Sequence, residues 1–245
     1  DNPDFPNHNN IFRNDGSGRF TEVTPECMRD RRAETRGVIC FDMDNDGDLD
    51  IFCVSGWKGS GDPAEERNEV YRNDGDFHFK ALTTDRLYSC PAGQGATDTD
   101  YDGDGDVDVF ACNRDGDLNI LRNEGRFNNF TQLAPSLMGV KYRAYSGVTT
   151  GDIDNDGDLD MILVDGRDTG HLYHSKGDGT FSFVRSFSAV DGYMAGLADL
   201  DNDGDLDIVF AGDDLVYINN GAGNFSQGSP IPVAGINDPR AIAFA

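Results

Sequence analysis

Asp152-Ile-Asp154-Asn-Asp156-Gly157-Asp158-Leu159-Asp160 is the stretch whose reading decides the fold. Its pattern is D-x-D-x-D-G-x-x-D. Carboxylates at positions 1, 3, 5 and 9 can turn toward one centre, because Gly at position 6 lets the backbone bend where a Cβ is penalised. The carbonyl of position 7 then points inward as well. This many hard oxygen ligands suits Ca²⁺, which takes six to eight, better than Mg²⁺, which prefers water and a near-ideal octahedron.

The stretch occurs four times, from Asp42 to Asp50, Asp100 to Asp108, Asp152 to Asp160 and Asp199 to Asp207. The expected ligands are Asp42, Asp44, Asp46 and Asp50, with the carbonyl of Asp48. In the second copy they are Asp100, Asp102, Asp104 and Asp108, with the carbonyl of Asp106. In the third they are Asp152, Asp154, Asp156 and Asp160, with Asp158, and in the fourth Asp199, Asp201, Asp203 and Asp207, with Asp205. Four Asp crowded in each loop repel one another without a cation between them. Four Ca²⁺ sites are therefore expected. An EF-hand shares the first nine positions but needs Glu at position 12 and flanking helices. Position 12 here is Cys53, Ala111, Leu163 or Phe210, each inside a strand-like run.

Outward from the loops, the pattern is that of an internal repeat of about 50 residues, in the range of a propeller blade. Each loop runs directly into an apolar stretch: Leu49–Val54, Val107–Cys112, Leu159–Val164 and Leu206–Ala211. Short apolar runs bounded by turns read as buried strands. A small-residue run such as Gly147-Val-Thr-Thr-Gly151 precedes each loop and reads as an inner strand near a crowded axis. A hairpin with a Gly-rich turn completes the unit. Five hairpins are present, at Asn10–Phe20, Glu69–Phe79, Asn119–Phe130, His171–Phe181 and Leu215–Phe225. Four antiparallel strands per unit make a propeller blade. The expected fold is all-β: a β-propeller of four-stranded antiparallel blades, with four complete loop-bearing units and a split fifth, in one domain over 1–245. The hairpin at Asn10–Phe20 and the strand-like Ala241–Ala245 are parts of one such unit. Ala241–Ala245 is expected to lie in a sheet, paired with residues 10–24 or with further polypeptide.

These residues resemble the FG-GAP/VCBS repeat family, known from integrin α-subunit propellers. The resemblance covers nearly the whole chain. It implies calcium at the loop positions given above, and a role in adhesion or glycan recognition or as a scaffold attached to an enzyme. It also implies an extracellular or cell-surface location. Relatives of this kind usually have seven blades, whereas about five units are present here.

Composition bounds the partners. The chain has 245 residues and a formal net charge of −25, which excludes non-specific nucleic-acid binding and attraction to anionic membranes. No apolar run reaches the roughly 18 residues of a membrane span. The opening Asp1-Asn-Pro-Asp-Phe is expected of a mature or trimmed chain. The Cys at 27, 40, 53, 90 and 112 are odd in number and form no C-x-x-C. Cys40, Cys53 and Cys112 sit in strand-like runs and are expected as small core residues.

Weaker signals favour recognition over catalysis. No nucleophile elbow, P-loop or dinucleotide fingerprint stands in the right context. His171 and His174 on one strand point to opposite faces and cannot chelate one ion together. Trp57 and the cluster Arg29, Arg31, Arg32 and Arg36 read first as loop residues, and second as contacts for a glycan or acidic partner. Asn129-Phe-Thr and Asn224-Phe-Ser are N-glycosylation sequons. The expected function is a non-catalytic extracellular calcium-binding propeller that recognises a glycan or protein. The alternatives are the scaffold of a polysaccharide lyase or hydrolase, and an assembly subunit that joins through incomplete end units.

Overall fold

The structure, a computed structural model, describes residues 8–29, 35–55, 68–83, 87, 95–112, 118–125, 129–140, 145–165, 169–188, 193–211 and 215–229. Trp57, Arg31, Arg32, Cys90 and the segment Ala241–Ala245 lie outside the described residues.

The first described elements are a two-stranded hairpin, β1 (Phe12–Asn14) and β2 (Phe20–Glu22), and one helical turn, α1 (Glu26–Arg29). Among the described residues four four-stranded sheets follow, each antiparallel with its strands in chain order. The first holds β3 (Thr35–Phe41), β4 (Asp50–Ser55), β5 (Glu69–Asn73) and β6 (Phe79–Leu82). The second holds β7 (Gly95–Thr99), β8 (Asp108–Cys112), β9 (Leu118–Asn123) and β10 (Phe130–Leu133). The third holds β11 (Tyr145–Gly151), β12 (Asp160–Asp165), β13 (Thr169–Ser175) and β14 (Phe181–Ser188). The fourth holds β15 (Ala195–Ala198), β16 (Asp207–Phe210), β17 (Leu215–Asn219) and β18 (Phe225–Gln227). Each acidic loop links the first two strands of a sheet, and the last two form the expected hairpin.

The sheets pack face to face in sequence order. Phe41, Phe52 and Val70 of the first meet Val109, Ala111 and Leu121 of the second. Phe110, Cys112 and Ile120 meet Val148, Met161 and Tyr173 of the third, and Ile162, Val164 and Leu172 meet Ala195, Ile208 and Phe210 of the fourth. The second strand of a sheet is thus covered on both faces: Met161 and Leu163 look back, Ile162 and Val164 look forward. Such a strand must be apolar at every position, which is why these runs do not alternate.

First strands lie side by side, β3 against β7, β7 against β11 and β11 against β15. The approach is close: a Cβ on Gly147 would collide with the Tyr193 carbonyl.

One expectation about the core is corrected. Cys53 and Cys112 are buried, but Cys40 is exposed. It lies on the face of β3 that looks back toward the hairpin, where no sheet covers it among the described residues. All four described cysteines (27, 40, 53 and 112) are free thiols.

Candidate functional site

Each acidic loop is built by its own side chains. Asp42 Oδ1 accepts the N–H of Asp46 and Oδ2 that of Gly47, while Asp46 Oδ1 accepts the N–H of Asp48. The third and fourth loops repeat all three bonds. Asp side chains closing turns on nearby N–H groups is a familiar device of loops. Two positions per loop are left-handed. The Gly at position 6 has φ between 93° and 97°, and position 4 is Asn45, Asn155 or Asn202 near 60°, or Gly103 at 71°. Asn and Gly are the residues that visit this region readily.

Position 9 does a second job. Asp50 opens β4 fully buried, its Oδ2 accepting the N–H of Met43 at position 2 and its Oδ1 that of Asn73 on β5. Asp108, Asp160 and Asp207 make the same pair of bonds, the second to Asn123, Ser175 and Asn219. One carboxylate therefore ties the loop to the third strand. Burial pushes Asp50 up to about 6, Asp108 up to about 7 and Asp160 up to about 6, with the donated N–H groups pulling the other way. Asp44 and Asp102 are raised too, by burial first and neighbouring carboxylates second.

The sequence-read positions come together in part. Ligand atoms of Asp42, Asp44 and Asp50 lie within 4.8 Å of one another, as do those of Asp100, Asp102 and Asp108. In the other loops the groups are Asp152, Asp154 and Asp156, and Asp199, Asp201 and Asp203. Asp46, Asp104 and Asp207 fall outside these groupings. The carboxylates of position 7 turn away: Asp106 and Asp205 accept bonds from Asn45 and Asn155 of the preceding loop, at 2.6 and 2.8 Å.

The residues fit a hard cation. Among the described residues, Asp44, Asp100, Asp102 and Asp154 each hold a buried Oδ1 with no hydrogen-bond donor. A carboxylate oxygen removed from water without a partner is costly. Two of them stand in the second loop and one each in the first and third, and a hard cation such as Ca²⁺ satisfies oxygens of this kind.

Two features were not read from the sequence. His174 of β13 places Nδ1 3.0 Å from Asp154 Oδ2 and joins Asp154 and Asp160 in one group. Its counterpart Arg72 on β5 stands 4.0 Å from Asp44. The signal was the third-strand residue just before Asn73 or Ser175, which only strand pairing brings to the loop. His171 points elsewhere, between Ser186 Oγ at 3.0 Å and Asp165 Oδ2 at 3.3 Å. Asp165 also accepts the Thr169 N–H, and Ser186 faces His171 across the β13–β14 pair.

The FG-GAP-like repeat family matches residues 3–53, 100–163, 152–210 and 199–245. The chain belongs to the FG-GAP-like repeat family. The first loop of this FG-GAP-like protein lies near the end of the first match, and the other three loops open the matches that begin at 100, 152 and 199. No curated protein matches the chain. The Vibrio cholerae biofilm matrix protein Bap1 is similar in structure, with TM-score 0.48 and 20% identity over 81% of this chain and 32% of that one. The Tc holotoxin pore of Photorhabdus luminescens is similar with TM-score 0.43 and 16% identity, over 88% of this chain and 10% of that one. The chain thus spans well under half the length of either. Among the described residues no helix is long and apolar enough to cross a membrane. Both sequon residues, Asn129 and Asn224, are exposed.

Proposed function

We propose that this chain is a calcium-stabilised, non-catalytic β-propeller module that serves extracellular recognition. The observation that carries the calcium reading is the set of buried, donorless carboxylate oxygens on Asp44, Asp100, Asp102 and Asp154. Positions 1, 3, 5 and 9 of each loop hold the ion, together with the carbonyl of position 7. The ion supplies charge neutralisation and a cross-link between the first two strands of a sheet.

The propeller reading rests on four face-packed sheets with adjacent first strands and on the family. The extracellular reading rests on the family and on exposed Asn129 and Asn224. The acidic surface favours a glycan or protein ligand over nucleic acid or an anionic membrane. Metal analysis of protein purified without chelator, and melting with and without EGTA, test the reading. Metal content near zero with an unchanged melting curve overturns it.

One observation favours an enzyme. Ser186, His171 and Asp165 form a hydrogen-bonded line with Ser186 exposed. The same side chains also serve cross-strand pairs, His171 with Ser186 and Asp165 with Thr169. Labelling by a fluorophosphonate that Ser186→Ala abolishes would establish that second reading.

A further inference from the structure

The acidic loops are not joined to one another evenly. The peptide at loop position 2 is the first link. Its N–H donates to the position-9 carboxylate of its own loop: Met43 to Asp50, Tyr101 to Asp108, Ile153 to Asp160 and Leu200 to Asp207. The carbonyls of Met43 and Ile153 face the next unit. Asn123 Nδ2 donates to the first at 3.2 Å and Asn219 Nδ2 to the second at 2.7 Å. The same two residues give their backbone N–H to the position-9 Asp of their own units, Asn123 to Asp108 and Asn219 to Asp207. A continuous buried chain of bonds therefore runs from Asp50 through Met43 and Asn123 to Asp108. A second runs from Asp160 through Ile153 and Asn219 to Asp207.

Another tie lies beside each chain. Asn45 at position 4 of the first loop donates to Asp106 of the second at 2.6 Å, and Asn155 of the third donates to Asp205 of the fourth at 2.8 Å. Each Asn stands between two acidic positions of its own loop, and each Asp stands at position 7 of the next.

Between the second and third loops both ties are missing, and the side chains give the reason. Position 4 of the second loop is Gly103, which has nothing to extend toward Asp158. The third-strand residue is Ser175, whose Oγ accepts the Gly177 N–H at 3.3 Å. It keeps its N–H bond to Asp160, but among the described residues no side-chain donor reaches the Tyr101 carbonyl. Apolar contact takes over, with the Tyr101 ring packed near Phe110 and Phe181. Two separate positions thus change at the same junction.

Given calcium in the loops as proposed above, we infer that the ions bind in two coupled pairs, first loop with second and third with fourth. Without an ion the carboxylates of a loop repel one another. An ion draws positions 1, 3 and 9 together and fixes the position-2 peptide between them. The Asn amide of the next unit then meets a carbonyl already in place, and the loop it belongs to is ordered at smaller cost. Coupling of this kind is reciprocal, each ion raising the affinity for its partner by the same factor. Asn45, Asn123, Asn155 and Asn219 act as positioning residues.

The test counts bound ions by native mass spectrometry as metal-free chain is titrated with calcium. Asp44→Ala removes a ligand of the first loop. It should lower the stoichiometry by one and weaken one of the remaining ions at least about fivefold, the low end of usual coupling between sites. Asp102→Ala, made from the other side of the pair, should give the same factor. Asn45→Gly with Asn123→Ser gives this junction the side chains found between the second and third loops. In that background Asp44→Ala should still remove one ion but leave the affinities of the others unchanged. Asn45→Gly alone, which cuts only the exposed tie, should lessen the effect and serves if the double change unfolds the chain. Remaining affinities unchanged by Asp44→Ala overturn the inference and leave the calcium reading standing. An undiminished fivefold effect with the ties cut overturns it too, and a chain that binds no calcium overturns both.

Discussion

Asn123 on β9 donates from Nδ2 to the carbonyl of Met43, 80 residues earlier in another unit's loop, at 3.2 Å, and from the same nitrogen to Val107 of its own unit. Asn219 repeats the pair with Ile153 and Leu206. A single amide thus stitches the first loop to the second sheet, and another the third loop to the fourth sheet. Asn123 is fully buried, so Asn123→Ala leaves two carbonyls without this donor. The expected loss is about 2 kcal/mol, within the usual range for stranding buried polar groups. A lower urea midpoint at unchanged slope checks it.

Calcium binding only to the folded chain stabilises it by mass action. Four sites at about tenfold saturation give on the order of 5 kcal/mol. Chelation should lower the melting temperature by many degrees. Asp154→Ala removes one of the donorless carboxylates and should lower the stoichiometry in a calcium titration by one, with the fold retained by circular dichroism. An unchanged stoichiometry would show that Asp154 is not a ligand.

The response to pH should differ in sign between the two forms. In the metal-free chain burial raises Asp50, Asp108 and Asp160 to about 6, 7 and 6 from 3.8. The folded state then binds more protons than the unfolded one between those values, so stability is greatest near pH 4 and falls as pH rises toward 7. With calcium in excess the ionised forms are the bound ones, and stability should rise over the same interval. Paired melting curves at pH 4.5 and 7, with EGTA and with calcium, read the two slopes.

Gly147→Ala should destabilise the chain although alanine suits a strand better. The added Cβ meets the Tyr193 carbonyl, a backbone atom that moves only if the two first strands separate. A loss of about 1 to 3 kcal/mol is expected, the usual cost of overpacking. Denaturant titration beside an exposed-strand control such as Thr131→Ala isolates the effect.

What the sequence determined by itself was what closes within a few residues of chain. The Asp-Asn-Asp-Gly loops, their turn bonds and the hairpins at Asn73–Gly75 and Asn123–Gly125 depend on residues a few positions apart, so their spacing is their structure. The apolar runs after the loops identified strands covered on both faces, and four sheets followed. What only the tertiary structure decided lies between paired strands of a unit and between units. Cys40 reads like Cys112 in sequence, yet one is exposed and the other buried, because a strand's pattern records which faces are apolar and not whether a neighbour stands there. His174 reaches Asp154 and Asn123 reaches Met43 only because sheet pairing and sheet packing bring distant residues within hydrogen-bond length. Leu49 and Val107 carry the same information locally, and the presence of a preceding sheet is what makes one a contact and leaves the other in solvent.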